Sequence, residues 1–318
     1  MICVTRLLTR SDLLALLDVD ACLEALRHGF MHADSGAIAG QRVRTDLPFP
    51  GTATALIPGL VPGIDAYTVK VNAKFPAAGP ALRGIICLHS GLDGEVLALL
   101  DSATVTAWRT GLAAALGTHA LAPQQDAVVG VIGAGAQADL VVTGLRRLRP
   151  LSDLIVHDLS PERASAFCDR HGGSIAGSAA EVAAQADIVV LATWSRIPLL
   201  DLPDVRAGHH LTTLGADEPG KQELSRSVLK AAAVLAVDHR PLAAAMGMLA
   251  AAGLPAEDAH ATLGEILRAD HPGRTHPDQI TVYGPVGLPW QDLVLSWLAY
   301  RESERRDLGT TIDFLSTP

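Results

Sequence analysis

The stretch from Asp126 to Leu140, D-A-V-V-G-V-I-G-A-G-A-Q-A-D-L, decides how the rest of the chain is read. Val128, Val129, Val131 and Ile132 make a β-branched run suited to a strand buried on both faces of a parallel sheet. Glycines follow at once. Gly133-Ala134-Gly135-Ala136-Gln137-Ala138 fits G-x-G-x-x-G/A, and the residues from Asp139 to Arg147 place apolar side chains at helical spacing. In that context Gly133 permits the tight turn, Gly135 keeps the backbone open to a pyrophosphate, and the helix N-terminus offers N–H groups and a positive dipole end. Ala136 and Gln137 complete the cofactor cradle. Taken alone, the same turn also serves βα units as bare geometry, so a second mark of a dinucleotide is needed.

Asp158 supplies it. It ends the next strand, Leu154 to His157, 25 residues beyond Gly133, near the ~20 expected of the carboxylate that accepts ribose hydroxyls. A carboxylate there repels a 2′-phosphate, which predicts NAD, with NADP the second candidate because Arg163 lies close by in sequence. Beyond Asp158 the pattern alternates: a helix from Pro161 to His171, then apolar strands at Ile188 to Thr193, His210 to Leu214 and Ala233 to Val237. This is the rhythm of a Rossmann-type doubly wound parallel sheet, an α/β fold.

Upstream the rhythm differs. Ser11 to Gly36 has helical spacing, with Ser11 or Asp12 as the start signal. After Gly40, prolines and glycines cut the chain into short runs, and the strands Tyr67 to Val71, Gly84 to His89 and Val96 to Leu100 read as antiparallel, with a turn at Gly91 to Gly94. An alanine-rich helix from Asp101 to Ala122 ends at Pro123. A final amphipathic helix spans Asp292 to Tyr300, and the charged Arg301 to Asp307 reads as solvated surface. With 318 residues, 49% of them hydrophobic, two domains are expected.

The formal charge of -9 argues against nucleic acid or an anionic membrane as partner. The N-terminal stretch has no cleavage site and the longest apolar stretch is too short to span a bilayer, so a cytoplasmic location is expected. The four cysteines lack metal-ligand spacing and read as small buried residues in a reducing compartment. No G-x-S-x-G and no H-E-x-x-H occurs. The pairs His209-His210 and His271 with His276 lack ligand spacing, and no metal is expected.

Several further segments resemble the ornithine cyclodeaminase/mu-crystallin family over nearly the whole chain. They are Val43-Arg44-Thr45 ahead of Ile57-Pro58-Gly59, Lys70-Val71-Asn72 with Phe75-Pro76, Asp101 with Thr106-x-x-Arg109-Thr110, the glycine turn, Ala192-Thr193 ahead of Pro198, Gly215 to Leu224, and Gly287 ahead of Asp292. The resemblance implies an α+β substrate and dimerisation domain built from both chain ends, 1–122 and 288–318, around a Rossmann domain at 123–287. It implies a homodimer acting on a small-molecule amino or imino acid. It makes Arg44, Lys70 and Arg109 the carboxylate anchors, Asp217 with Lys70 the catalytic residues, and Thr110, Thr193 and Asp292 further cofactor contacts. The chemistry agrees, since a substrate carboxylate calls for a cationic cluster and a guanidinium grips it with two donors.

Two departures stand out. Ala55 occupies the position where ornithine cyclodeaminases carry an acid for the distal amine, which speaks against a diamine substrate. Pro285 and Pro289 replace small residues before Asp292, implying a reshaped nicotinamide end. Three functions stay open at this point: an amino or imino acid oxidoreductase, a cyclodeaminase that recycles its NAD, and a non-catalytic NAD(P)H-binding protein of the crystallin type.

Overall fold

The computed structural model describes residues 4–33, 43–46, 53–75, 82–216 and 220–314, and of residues 43–45 and 53 the backbone alone. The chain divides into two compact units, Met1–Arg109 with Leu288–Pro318, and Thr110–Gly287.

The first unit holds a mixed seven-stranded sheet. Its strands are β1 (Thr5–Leu8), β2 (Val43–Asp46), β3 (Ala53–Gly59), β4 (Ala66–Lys74), β5 (Leu82–Ser90), β6 (Val96–Asp101) and β15 (Thr310–Ile312), in the order β15-β1-β6-β5-β4-β3-β2. The strands expected between residues 67 and 100 are all present, and the run β2 to β6 is antiparallel. Helix α1 (Arg10–Leu16) starts earlier than Ser11. Thr9 caps it by accepting from the Asp12 N–H, and the Asp12 carboxylate reaches back to the Thr9 N–H. Asp18 caps α2 (Val19–His32), its carboxylate accepting the Ala21 N–H.

The last helix, α11 (Pro289–Arg306), is longer than its apolar stripe suggested. The charged tail continues it, with exposed side-chain pairs such as Arg305 to Glu302 one turn apart. Trp290 of this helix packs edge-on against Phe30, and a Cβ on Gly29 would stand 2.2 Å from the Trp290 ring. The helix covers the sheet face that bears Thr68, Lys70 and Ile86, all fully buried. On the other face Leu56, Val71 and Ile85 lie in register, and Leu56 and Ile85 are 45% and 47% exposed.

The second unit is a parallel eight-stranded sheet. It contains β7 (Ala127–Ile132), β8 (Leu151–His157), β9 (Ser174–Ile175), β10 (Ile188–Leu191), β11 (His210–Thr213), β12 (Val234–Val237), β13 (Ala261–Thr262) and β14 (Thr281–Gly284), in the order β13-β12-β14-β11-β10-β7-β8-β9. Around β7 this is the doubly wound order, and it reverses between β7 and β10, the switch point where such sheets bind ligands. Alternate strand residues feed two cores. Val189, Leu191, Leu211 and Val282 lie in one, and Val129, Val131, Val156 and Val190 in the other.

Helix α3 (Ser102–Leu121) joins the units, and here the structure corrects the expected boundary at Pro123. The division falls between Arg109 and Thr110 because Ala114, Ala115 and Ala122 pack with Ala127, Val129, Ala138 and Val141. The rest of the second unit is helical crossover: α4 (Ala136–Leu148), α5 (Pro161–His171), α6 (Ala179–Gln185), α7 (Arg226–Ala231), α8 (Arg240–Met246), α9 (Met248–Ala252) and α10 (Leu263–Leu267). Among the described residues no helix is long and apolar enough to cross a membrane.

Candidate active site

The glycine turn sits at the carboxyl end of β7, at the switch point. Gly133 has φ +96°, a conformation that favours glycine, and a Cβ there would stand 2.6 Å from the Ala192 carbonyl oxygen. A Cβ on Gly135 would meet nothing within 4 Å. That open space lies over the first turn of α4, whose N-terminus no side chain caps. An uncapped helix start under open space fits a pyrophosphate. Helix α3 presses close by: a Cβ on Gly111, which follows Thr110 in the chain, would stand 2.8 Å from the Gln137 carbonyl oxygen in the first turn of α4.

Asp158 is tied to this turn directly. Its Oδ2 accepts the Ala134 N–H at 2.8 Å, and its Oδ1 accepts the Ser160 N–H at 2.8 Å and the Arg163 guanidinium at 2.6 and 3.0 Å. Burial pushes the Asp158 carboxyl up, but the Arg163 hydrogen bond and the two N–H groups outweigh it and hold it below the usual carboxylate range.

Behind the turn lies a residue to which the sequence assigned no role. Glu223 is fully buried, and its carboxylate joins the ends of two central strands. Oε1 accepts the Thr193 N–H at 2.6 Å and the Thr193 hydroxyl at 2.7 Å, while Oε2 accepts the Thr213 hydroxyl and the Gly215 N–H, both at 2.7 Å. Burial raises its pKa against the pull of all four donors. Thr193, expected to contact cofactor, is thus fixed from behind, and its methyl group is one of the atoms a Gly133 Cβ would meet. Sequence offered no route to this clamp because its donors lie 8 to 30 residues from Glu223.

The first unit gathers charge. Lys70 on β4 and Asp292 on α11 form a buried pair at 2.5 Å, and Arg109 Nε stands 3.3 Å from the second oxygen of Asp292. That second contact is close enough for an ion pair but off the hydrogen-bond direction. Thr106 Oγ1 lies 3.5 Å from Lys70 Nζ, and Arg109 donates to the Gln291 amide oxygen at 3.4 Å. Asp292, expected to contact the cofactor, stands against Lys70 and Arg109, the residues expected to anchor the substrate. The physical reason is that two buried cations require an anion, and the first turn of α11 supplies it. Arg44 lies on β2 with its backbone paired to Ala55, which pairs in turn with Asn72. The Arg44 side chain and all of Asp217 fall outside the described residues.

A dinucleotide cradle and a buried cation cluster on one chain invite comparison with known enzymes. The model of the ornithine cyclodeaminase/mu-crystallin family matches residues 3–306. The chain belongs to the ornithine cyclodeaminase/mu-crystallin family. An alanine dehydrogenase of Archaeoglobus fulgidus is 30% identical over 319 residues, 98% of either chain. An archaeal alanine dehydrogenase dimer with bound NAD superposes with a TM-score of 0.91 at 28% identity, covering 98% of this chain and 100% of that one. The Thermococcus litoralis Δ1-pyrroline-2-carboxylate reductase, in complex with NADH and L-proline, gives a TM-score of 0.91 at 25% identity, covering 97% and 100%. This family member therefore shares its fold, over nearly the whole chain, with an alanine dehydrogenase and an imino acid reductase whose structures hold NAD or NADH.

Proposed function

We propose that this family member is an NAD(P)-dependent oxidoreductase acting on the C–N bond of a small α-amino or α-imino acid, in the manner of an alanine dehydrogenase or a cyclic imino acid reductase. One observation carries the reading: Asp158 is bonded to the glycine turn in one unit, and a buried Lys70–Asp292–Arg109 cluster stands in the other. The nicotinamide, when bound, gives or takes the hydride at the substrate α-carbon.

The chain's own groups do the rest. Lys70, Arg109 and Asp292 together carry one positive charge, which complements one substrate carboxylate. Asp292 holds the two cations ready, so little reorganisation is needed when that carboxylate arrives. Arg44 is the third anchor by family resemblance. Asp217 handles the proton at the α-nitrogen and faces the iminium with a negative charge. Ala55 leaves no acid on β3 for a distal amine, which favours a short or cyclic side chain over a diamine.

The unit made from both chain ends holds the substrate and pairs with a second copy. Support comes from the apolar row Leu56, Val71 and Ile85, in which Leu56 and Ile85 are 45% and 47% exposed, and from the dimeric alanine dehydrogenase relative.

Incubation of the protein with NADH or NADPH against pyruvate plus ammonia, and against cyclic ketimines, tests the reading. The expected outcome is loss of the reduced-nicotinamide absorbance. Incubation with NAD and diamino acids forms the other arm. Ammonia released there with no net change in nicotinamide identifies a cyclodeaminase instead.

A further inference from the structure

The carboxylate that receives the adenosine ribose is built in, and the cation on it is laid over from solvent. Asp158 has a side chain 7% exposed, whereas that of Arg163 is 62% exposed. The Ala134 and Ser160 N–H groups hold the two oxygens of Asp158 separately, so the carboxylate keeps its place without Arg163. Arg163 adds both Nε and a terminal nitrogen to the same oxygen, Oδ1, through a pair that lies at the surface. Only the Arg163 end of the pair faces solvent, where water screens the contact and can take the place of the carboxylate on the guanidinium. Its backbone does not move, because α5 is anchored by the Ser160 hydroxyl accepting the Arg163 N–H.

A ribose 2′-hydroxyl needs only an acceptor lone pair on Asp158. A 2′-phosphate meets that same carboxylate as a repelling charge and needs a cation within reach, and a guanidinium matches phosphate geometry with two donors. The other charge nearby is Glu162, which is engaged by the Ser160 hydroxyl. We propose that Arg163 is a displaceable counter-ion that sets cofactor choice: it rests on Asp158 when the ribose has a free 2′-hydroxyl, and turns outward to hold a 2′-phosphate. The chain then binds NADP(H) as well as NAD(H), which Asp158 alone would prevent. This rests on the dinucleotide reading above and extends it to the ribose.

The test is a titration of the full-length protein, without substrate, following reduced-nicotinamide fluorescence with NADH and with NADPH, for wild type, Arg163→Gln and Arg163→Lys. Wild type is expected to bind both within about tenfold. Arg163→Gln should weaken NADPH about tenfold to a hundredfold, the scale of a lost charge-assisted hydrogen bond, and leave NADH within about threefold. Arg163→Lys should fall between, since it keeps the charge without the fork. Equal weakening of both cofactors, no weakening of either, or wild type that takes NADH and excludes NADPH overturns the proposal and leaves the dinucleotide reading standing. Wild type that binds neither overturns both.

Discussion

Lys70 and Arg109 were singled out in the sequence by the family resemblance, and the need of a substrate carboxylate for a cationic cluster agreed with it. Their anion was not legible. Asp292 lies 222 residues from Lys70, and only the packing of α11 onto β4 brings the two together. A buried charge that loses its partner is costly, so Asp292→Ala should destabilise the protein by about 3 to 5 kcal/mol, measured by urea unfolding. Stability within about 1 kcal/mol of wild type would show that the pair is relaxed by water. Asp217 belongs to the same scale. Asp217→Asn keeps size and hydrogen-bonding capacity but removes the base, and kcat should fall by about 100- to 10,000-fold with NADH affinity unchanged. Retained turnover removes Asp217 from the chemistry.

At the scale of elements, what was local was readable. Helix α5 spans the residues its pattern predicts, since its signals are local: the Ser160 cap just before it, Pro161 at its first position and Gly172 just after it. The turn after β7 was readable for the same reason. The break inside α3 was not, because alanine periodicity does not say which sheet a helix face will meet. The short strands β9, β13 and β14 were missed too, being two to four residues long and defined by their neighbours. The Glu223 clamp is the clearest case of a device made by tertiary contact. In Glu223→Gln the amide NH2 must face either the Thr193 N–H or the Gly215 N–H, both fixed donors, so one hydrogen bond becomes a donor–donor conflict in either orientation. NADH binding should weaken by about tenfold and stability should fall by about 1 to 3 kcal/mol, read by fluorescence titration and thermal unfolding. Unchanged NADH affinity would mean that the strand ends keep their places without the clamp.

The whole molecule adds a constraint that neither scale shows. His209 and His210 are fully buried at the start of β11. His210 is satisfied by the hydroxyls of Thr212 and Thr281, and Thr212 in turn meets Thr118 of α3. Burial, then the nearby Arg206, lowers the His209 pKa to about 4, and burial lowers that of His210 well below the ordinary value. Groups with a depressed folded pKa bind more protons when unfolded. Their stabilising effect is complete above about pH 6.5 and is lost as pH falls toward 4. His209 alone corresponds to roughly 3 kcal/mol across that window, and unfolding followed from pH 7 to pH 4 should show the decline. A flat profile there would mean that these rings are hydrated.

The fold class, the cofactor turn and the family were legible because they rest on local motifs and their order along the chain. The grouping of Asp292 and the role of Glu223 were not, since both depend on residues brought together from distant segments. In the proposed reaction, hydride passes between nicotinamide and the carbon that bears the nitrogen. The most direct measurement is product mass spectrometry after turnover of a cyclic ketimine, or of pyruvate with ammonia, using NADH carrying deuterium at both C4 positions. One deuterium is expected at the α-carbon of the amino acid formed, with one nicotinamide oxidised for each product molecule. Product without deuterium, or nicotinamide oxidised without amino acid, would contradict that reaction.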